Sequence, residues 1–246
     1  AAASINKDHK VETYKPVSEL EYKKLLTYYK YDKQSLNAEI ISREEKENWI
    51  EEKVEFDCPL GDRITGFLFL PKNVQEPFQC IVWDPHGAVY DLGAPANWTA
   101  EILFSGNIKS GRAVFVIVPK GSPSRKWEYG EQWPKVSTVL FCDRVLHGVT
   151  ESRIGLDYLY TRKEIDMNKL VWIPTSHMIN GLIVPAVDNR INSIILIACG
   201  IYPESKTSLP EVNPVNFVSH YNKPTYFLYG KYDEAMPYNL LVLPFY

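Results

Sequence analysis

From Gln79 onward the chain alternates two kinds of apolar pattern. Short continuous runs, QCIVWD at 79–84, AVFVIV at 113–118 and INSIILIA at 191–198, have the length and β-branched content of strands buried on both faces. Between them, apolar residues recur at helical spacing over 97–111, closed by glycine, and over 135–162, where Val139, Leu140, Val145, Leu146, Ile154, Leu156 and Leu159 repeat. Gly148 and Gly155 allow the second helix to bend or to pack closely. The stretch KLVWIPTSHMINGLIVPAVDNR, 169–190, joins the two patterns: an apolar strand meets Ser176 and turns at once into an apolar helix.

The first part of the chain differs. Residues 1–48 are polar and carry one helical pattern over 18–31, with Leu20, Leu25, Leu26 and Tyr29 at core-like spacing, so they read as a helical arm. WIEEKVEFDCPLGDRITGFLFL, 49–70, holds two β-rich runs around Pro59-Leu60-Gly61-Asp62, a hairpin signal. Near the end, 203–222 is loop-rich and 225–229 is a last strand. A hairpin followed by alternating buried strands and helices predicts an α/β fold, a mostly parallel sheet covered on both faces. Ligands in such sheets sit at the carboxyl ends of strands. Residues 85–88, 120–127, Ser176 and Asp233 all fall at such ends.

Composition narrows the picture. A chain of 246 residues, 45% hydrophobic and 23% charged, suffices for one core, here 49–246 behind the arm 1–48. A net charge of −3 without clustered Lys and Arg gives no phosphate-binding surface, so nucleic acid is not an expected partner. Cys58, Cys80, Cys142 and Cys199 form no CxxC pair, and no metal or cofactor is expected. Three lie in apolar runs as buried thiols, which suits a reducing compartment. No run of 18 apolar residues marks a membrane span and AAASINKDHK has no signal-peptide core, so a soluble protein is expected, cytoplasmic ahead of periplasmic or secreted. Asn97-Trp98-Thr99 fits a glycosylation sequon, which matters only in a secretory setting. Gly200 to Thr207 is one substitution from a phosphate-binding GxxxxGK[ST] loop, but Ser205 replaces its second glycine and Pro210 would break the helix behind it.

Five segments taken together, YDKQSLNAEI (31–40), WIEEKVEFDCPLGDRITGFLFLPKN (49–73), SGRAVFVIVPKG (110–121), GLDYLYTRKEIDMNKL (155–170) and PEVNPVNF with YGKYDEAMP near the end, resemble the α/β-hydrolase superfamily. The similarity is to its dienelactone hydrolase and acetyl xylan esterase-like branch, as in bacterial hydrolase domains attached to serine/threonine kinases. It covers the chain from about residue 30. It implies a carboxylic ester hydrolase with partners in the order Ser, Asp, His. Ser176 would be the nucleophile and Asp233 the acid that orients the histidine, with a small-molecule ester as substrate. The backbone N–H of His177, with one from Gly87-Ala88, would form the oxyanion hole. A protein partner or a larger multidomain chain is compatible with the same resemblance.

Two departures stand out. Pro174 and Met178 flank Ser176 where the family elbow carries small residues. No histidine follows Asp233; His9, His86, His147, His177 and His220 all precede it. Three accounts are open: the chain ends before the family's last strand, histidine loop and covering helix; the fold is kept for binding or scaffolding without catalysis; or His86 or His177 acts as an unorthodox base. The first is preferred, because NLLVLPFY stops where the family sheet still needs an edge strand and a helix. Arg125, Lys126 and Trp127 read as a solvated loop, with a role in holding an anionic or sugar substrate as the alternative.

Overall fold

The computed structural model describes residues 14–72, 74–85, 87–90, 92–128, 130, 134–176, 179–234 and 237–242. His86, His177 and Met178 lie outside them. Among the described residues the strands are β1 (Glu39–Glu45), β2 (Trp49–Asp57), β3 (Arg63–Pro71), β4 (Phe78–Asp84), β5 (Ala113–Ile117), β6 (Ile165–Pro174), β7 (Ser193–Ile197) and β8 (Thr225–Leu228). The helices are α1 (Glu19–Leu25), α2 (Gly87–Tyr90), α3 (Ala96–Lys109), α4 (Val139–Tyr160), α5 (Ile179–Val187), α6 (Val215–Val218) and α7 (Tyr238–Leu241). The strands form one sheet in the order β1-β2-β3-β5-β4-β6-β7-β8. β4 to β8 run parallel, while β1, β2 and β3 join through antiparallel ladders.

The side-chain period of two divides each central strand between two cores. In β5, Ala113, Phe115 and Ile117 face one core, with α4, α5 and the N-terminal arm; Val114 and Val116 face the other, with α3. The mostly parallel sheet with helices on both faces and an opening hairpin is thus the observed architecture. Gly155 lets α4 close on the sheet, since a Cβ there would stand 3.1 Å from the Phe115 ring. Gly148 does the same against α5, with Asn180 Nδ2 only 2.1 Å from such a Cβ.

Two local differences from the sequence pattern have simple causes. Glu39–Glu45 forms edge strand β1 inside the polar arm. EIISREE is exposed throughout, so no alternation marks it, and it is held by its ladder and by Arg43, which pairs with the buried carboxylate of Glu52. Glu52 also accepts from Arg162 at 2.6 Å. In the arm helix Leu20 is exposed, and Tyr22 and Leu25 are the buried residues, with Tyr22 stacked on His220 at 3.5 Å. Ser18 caps that helix in a reciprocal box with Glu21, which sets its rotation.

Helix α5 contains Pro185, which has no N–H to give the carbonyl of Gly181 one turn earlier. Trp172 of β6 supplies the donor instead, its Nε1 reaching Gly181 O at 2.9 Å in the buried core. No described helix is long and apolar enough to cross a membrane. Trp172→Phe keeps most of the buried area but leaves that carbonyl unsatisfied, and is expected to lower stability by about 1–3 kcal/mol in urea denaturation. Adding Pro185→Ala returns an N–H to Gly181, so the double variant should be more stable than Trp172→Phe alone.

Candidate active site

Strand β6 ends at Pro174, paired in register with Asp84 at the end of β4. The next two residues are pinned from both sides. Thr175 donates its N–H to Asp84 O at 3.1 Å, and Ser176 donates its N–H to Ile197 O of β7, also at 3.1 Å. The Thr175 hydroxyl accepts from Trp83 Nε1 at 3.1 Å and donates to Asp84 O at 3.2 Å. Ser176 then takes a φ of +65°, in the left-handed region, and α5 begins three residues later. A non-glycine residue there costs of order 1 kcal/mol or more and persists only where its surroundings over-determine it.

The room for this turn comes from Gly181. A Cβ at that position would lie 2.4 Å from Pro174 Cβ and 2.7 Å from Asp84 Oδ2. The small residue that lets α5 close on the strand therefore lies one helical turn beyond the place where the family pattern carries it. Pro174 fits because its own position is extended strand and its ring packs into the gap that Gly181 leaves.

Asp84 lies beneath the turn, 4% exposed, and its Oδ2 has no hydrogen-bond partner. Burial pushes its pKa up to about 7. Pattern reading did not single it out, because it ends an apolar strand and looks like a strand-terminating turn residue.

Ser176 opens into a cavity of about 490 Å³ lined by Gly87, Ala88, Leu103, Phe104, Thr175, Ile197 and Ala198. Ser176, Gly87 and Ala88 thus meet at one site. Asp233 does not line it; it sits in the turn after β8, its N–H bonded to Gly230 O at 3.1 Å. Of the histidines described, His220 stacks on Tyr22 of the arm and His147 contacts Glu151 of its own helix, and neither lines the cavity.

Of Arg125, Lys126 and Trp127, expected in a solvated loop, Lys126 is exposed but Arg125 is not free in solvent. The Arg125 guanidinium is largely buried and binds Glu151 through two nitrogens at 2.6 and 3.2 Å, Asp62 at 2.9 Å and Val118 O at 2.6 Å, so its donors are committed. Burial alone would raise the Glu151 pKa, but His147 and Arg125 outweigh it and hold the carboxyl below its usual range. Asp62, His147 and Glu151 bring ligand atoms within 4.8 Å of one another. Both carboxylates already face Arg125, and Asp62 also pairs with Lys120 at 2.8 Å, so the group is an ion-pair network and not an available cation site.

The phosphate-loop alternative fails on geometry. Pro203–Thr207 is one 3₁₀ turn, and a Cβ on Gly200 would be 2.3 Å from Leu241 O, so this glycine serves the approach of α7. Asn97, of the sequon, gives its Nδ2 to Glu51 at 2.7 Å. All four cysteines are buried. Two larger grooves, about 570 and 700 Å³, lie between the arm and α4–α5, but they hold no nucleophile beside a turn, and their Arg153 and Arg190 are paired with Asp188.

Gly181→Ala is expected to cost about 1–3 kcal/mol, because neither Pro174 nor Asp84 can yield without moving the strand ends; thermal denaturation measures it. Asp84 keeps its proton in the folded protein over a pH range in which the unfolded chain has lost it. Its contribution to stability therefore falls as pH rises from about 4 to about 7 and is level above that. Asp84→Asn should remove this slope, so its stability relative to the parent rises by on the order of 2–4 kcal/mol between pH 4 and pH 8 in urea titrations.

No family profile and no curated protein sequence matches the chain. Solved structures do. An acetyl xylan esterase from Thermoanaerobacterium sp. JW/SL YS485 superposes with a TM-score of 0.72 at 11% identity, over 95% of this chain and 85% of that one. An acetyl xylan esterase from Paenibacillus sp. R4 gives 0.62 at 14%, over 89% and 91%. A glucuronoyl esterase from Solibacter usitatus gives 0.61 at 15%, over 89% and 76%. At such identities the likeness speaks of architecture, and with the strand order and the turn after β6 it assigns this chain the α/β-hydrolase fold.

Proposed function

We infer that this chain is a serine-dependent carboxylic ester hydrolase. The observation that carries the reading is the left-handed backbone at Ser176, a strained strand-to-helix turn at the mouth of a cavity. The esterases of like fold agree with it. Ser176 Oγ attacks the ester carbonyl carbon, forming an acyl bond while the carbon–alcohol bond breaks. The hydroxyl proton passes to a histidine oriented by Asp233 and then to the departing alkoxide; water reverses the sequence. Gly87 and Ala88 line the cavity and supply backbone N–H groups for the oxygen on which charge develops; His177, expected from the sequence to add a third, lies outside the described residues. Among the described residues no histidine lines the cavity, so the reading assigns the base to a histidine outside them.

A second reading, a hydrolase-fold protein that binds without catalysis, is favoured because neither His147 nor His220 is among the residues lining the cavity. Added imidazole separates the two, because it can itself serve as the general base at Ser176. Incubated with an alkyl fluorophosphonate, the protein should gain one adduct on Ser176, read by intact mass and peptide mapping. The rate should rise at least about tenfold with imidazole, within the range general-base catalysis contributes. Ser176→Ala should gain none. No adduct in the presence of imidazole would leave the binding protein as the better account.

A further inference from the structure

The walls of the Ser176 cavity specify a substrate class, an inference that rests on the hydrolase reading above. Among the described residues that line it, Thr175 and Ser176 are the only ones with polar side chains, and none is charged. Thr175 is not available to a ligand: its hydroxyl is held between Trp83 Nε1 and Asp84 O. A sugar brings several hydroxyl groups into a site, each of which loses water and needs a partner there. Among the described residues these walls offer such groups no side-chain partner apart from the nucleophile. They offer hydrocarbon instead, from Leu103 and Phe104 on α3 and Ile197 on β7.

A two-carbon acyl group would touch little of a 490 Å³ cavity.

We propose that the site takes esters bearing an unbranched hydrocarbon chain of several carbons, and not acetylated or uronate sugars. Each methylene removed from water contributes up to about 0.8 kcal/mol, or roughly a fourfold change. The test extends the imidazole-supported labelling of Ser176 to a series of fluorophosphonates with alkyl chains from ethyl to decyl. The second-order rate constant should climb about two- to fourfold per added methylene over the first several carbons. Leu103→Asp and the milder Leu103→Ser, at a half-exposed position, should flatten that climb, whereas Tyr160→Ser, exposed on α4, should leave it intact. Acetylated xylose or methyl glucuronate added as competitor should slow labelling less than an equal concentration of methyl octanoate. Adducts that form at a rate independent of chain length, or stronger competition by the sugars, would overturn the substrate class while leaving Ser176 as nucleophile. Failure of every probe to label Ser176 would overturn both.

Discussion

The contact between the start of α5 and the ends of β4 and β6 carries the site. Ser176 holds a backbone conformation that an isolated peptide would seldom visit, and hydrogen bonds from Thr175 to Asp84 and from Ser176 to Ile197 hold it there from two neighbouring strands. The helix that follows packs against these strand ends because position 181 has no side chain. Trp172 closes the same joint from within, satisfying the carbonyl that Pro185 leaves without a donor. A proline before the serine is tolerable in this setting because the glycine that matters sits elsewhere.

Two buried carboxylates near the carboxyl ends of the strands show how differently the fold treats charge. Glu151 is enclosed with Arg125 and His147, and the attraction outweighs the loss of water. Asp84 is enclosed with one oxygen unpartnered, so burial dominates and its proton is retained toward neutrality. The first locks the 118–125 segment to α4 and to the β2–β3 turn. The second puts a group that prefers to be neutral directly under the turn at Ser176, beside the position that Gly181 keeps open.

The cavity at Ser176 is smaller than the grooves beside the arm, but those grooves are lined by ion pairs already made. A site is defined by groups held in readiness for a ligand, not by volume. Ser176 is the candidate by that measure, through its strained turn at a cavity lined by hydrocarbon.

The layered α/β architecture was legible in the residues, because strands buried on both faces must be continuously apolar and the helices between them must carry a stripe. The order of Ser176 and Asp233 at strand ends was legible for the same reason. β1 was not, since an exposed edge strand has no burial pattern to leave in its sequence, and Leu20 was misplaced because capping, not spacing alone, sets a short helix's rotation. Arg125 read as solvent-facing because its partners Glu151 and Asp62 are distant in the chain. So the sequence by itself determined the layers and the position of the turn. Only the tertiary structure decided that Gly181 makes the turn fit, that Asp84 is buried beneath it and that apolar walls surround the serine. These depend on how far apart separate strands and helices come to rest, a distance that no local pattern encodes.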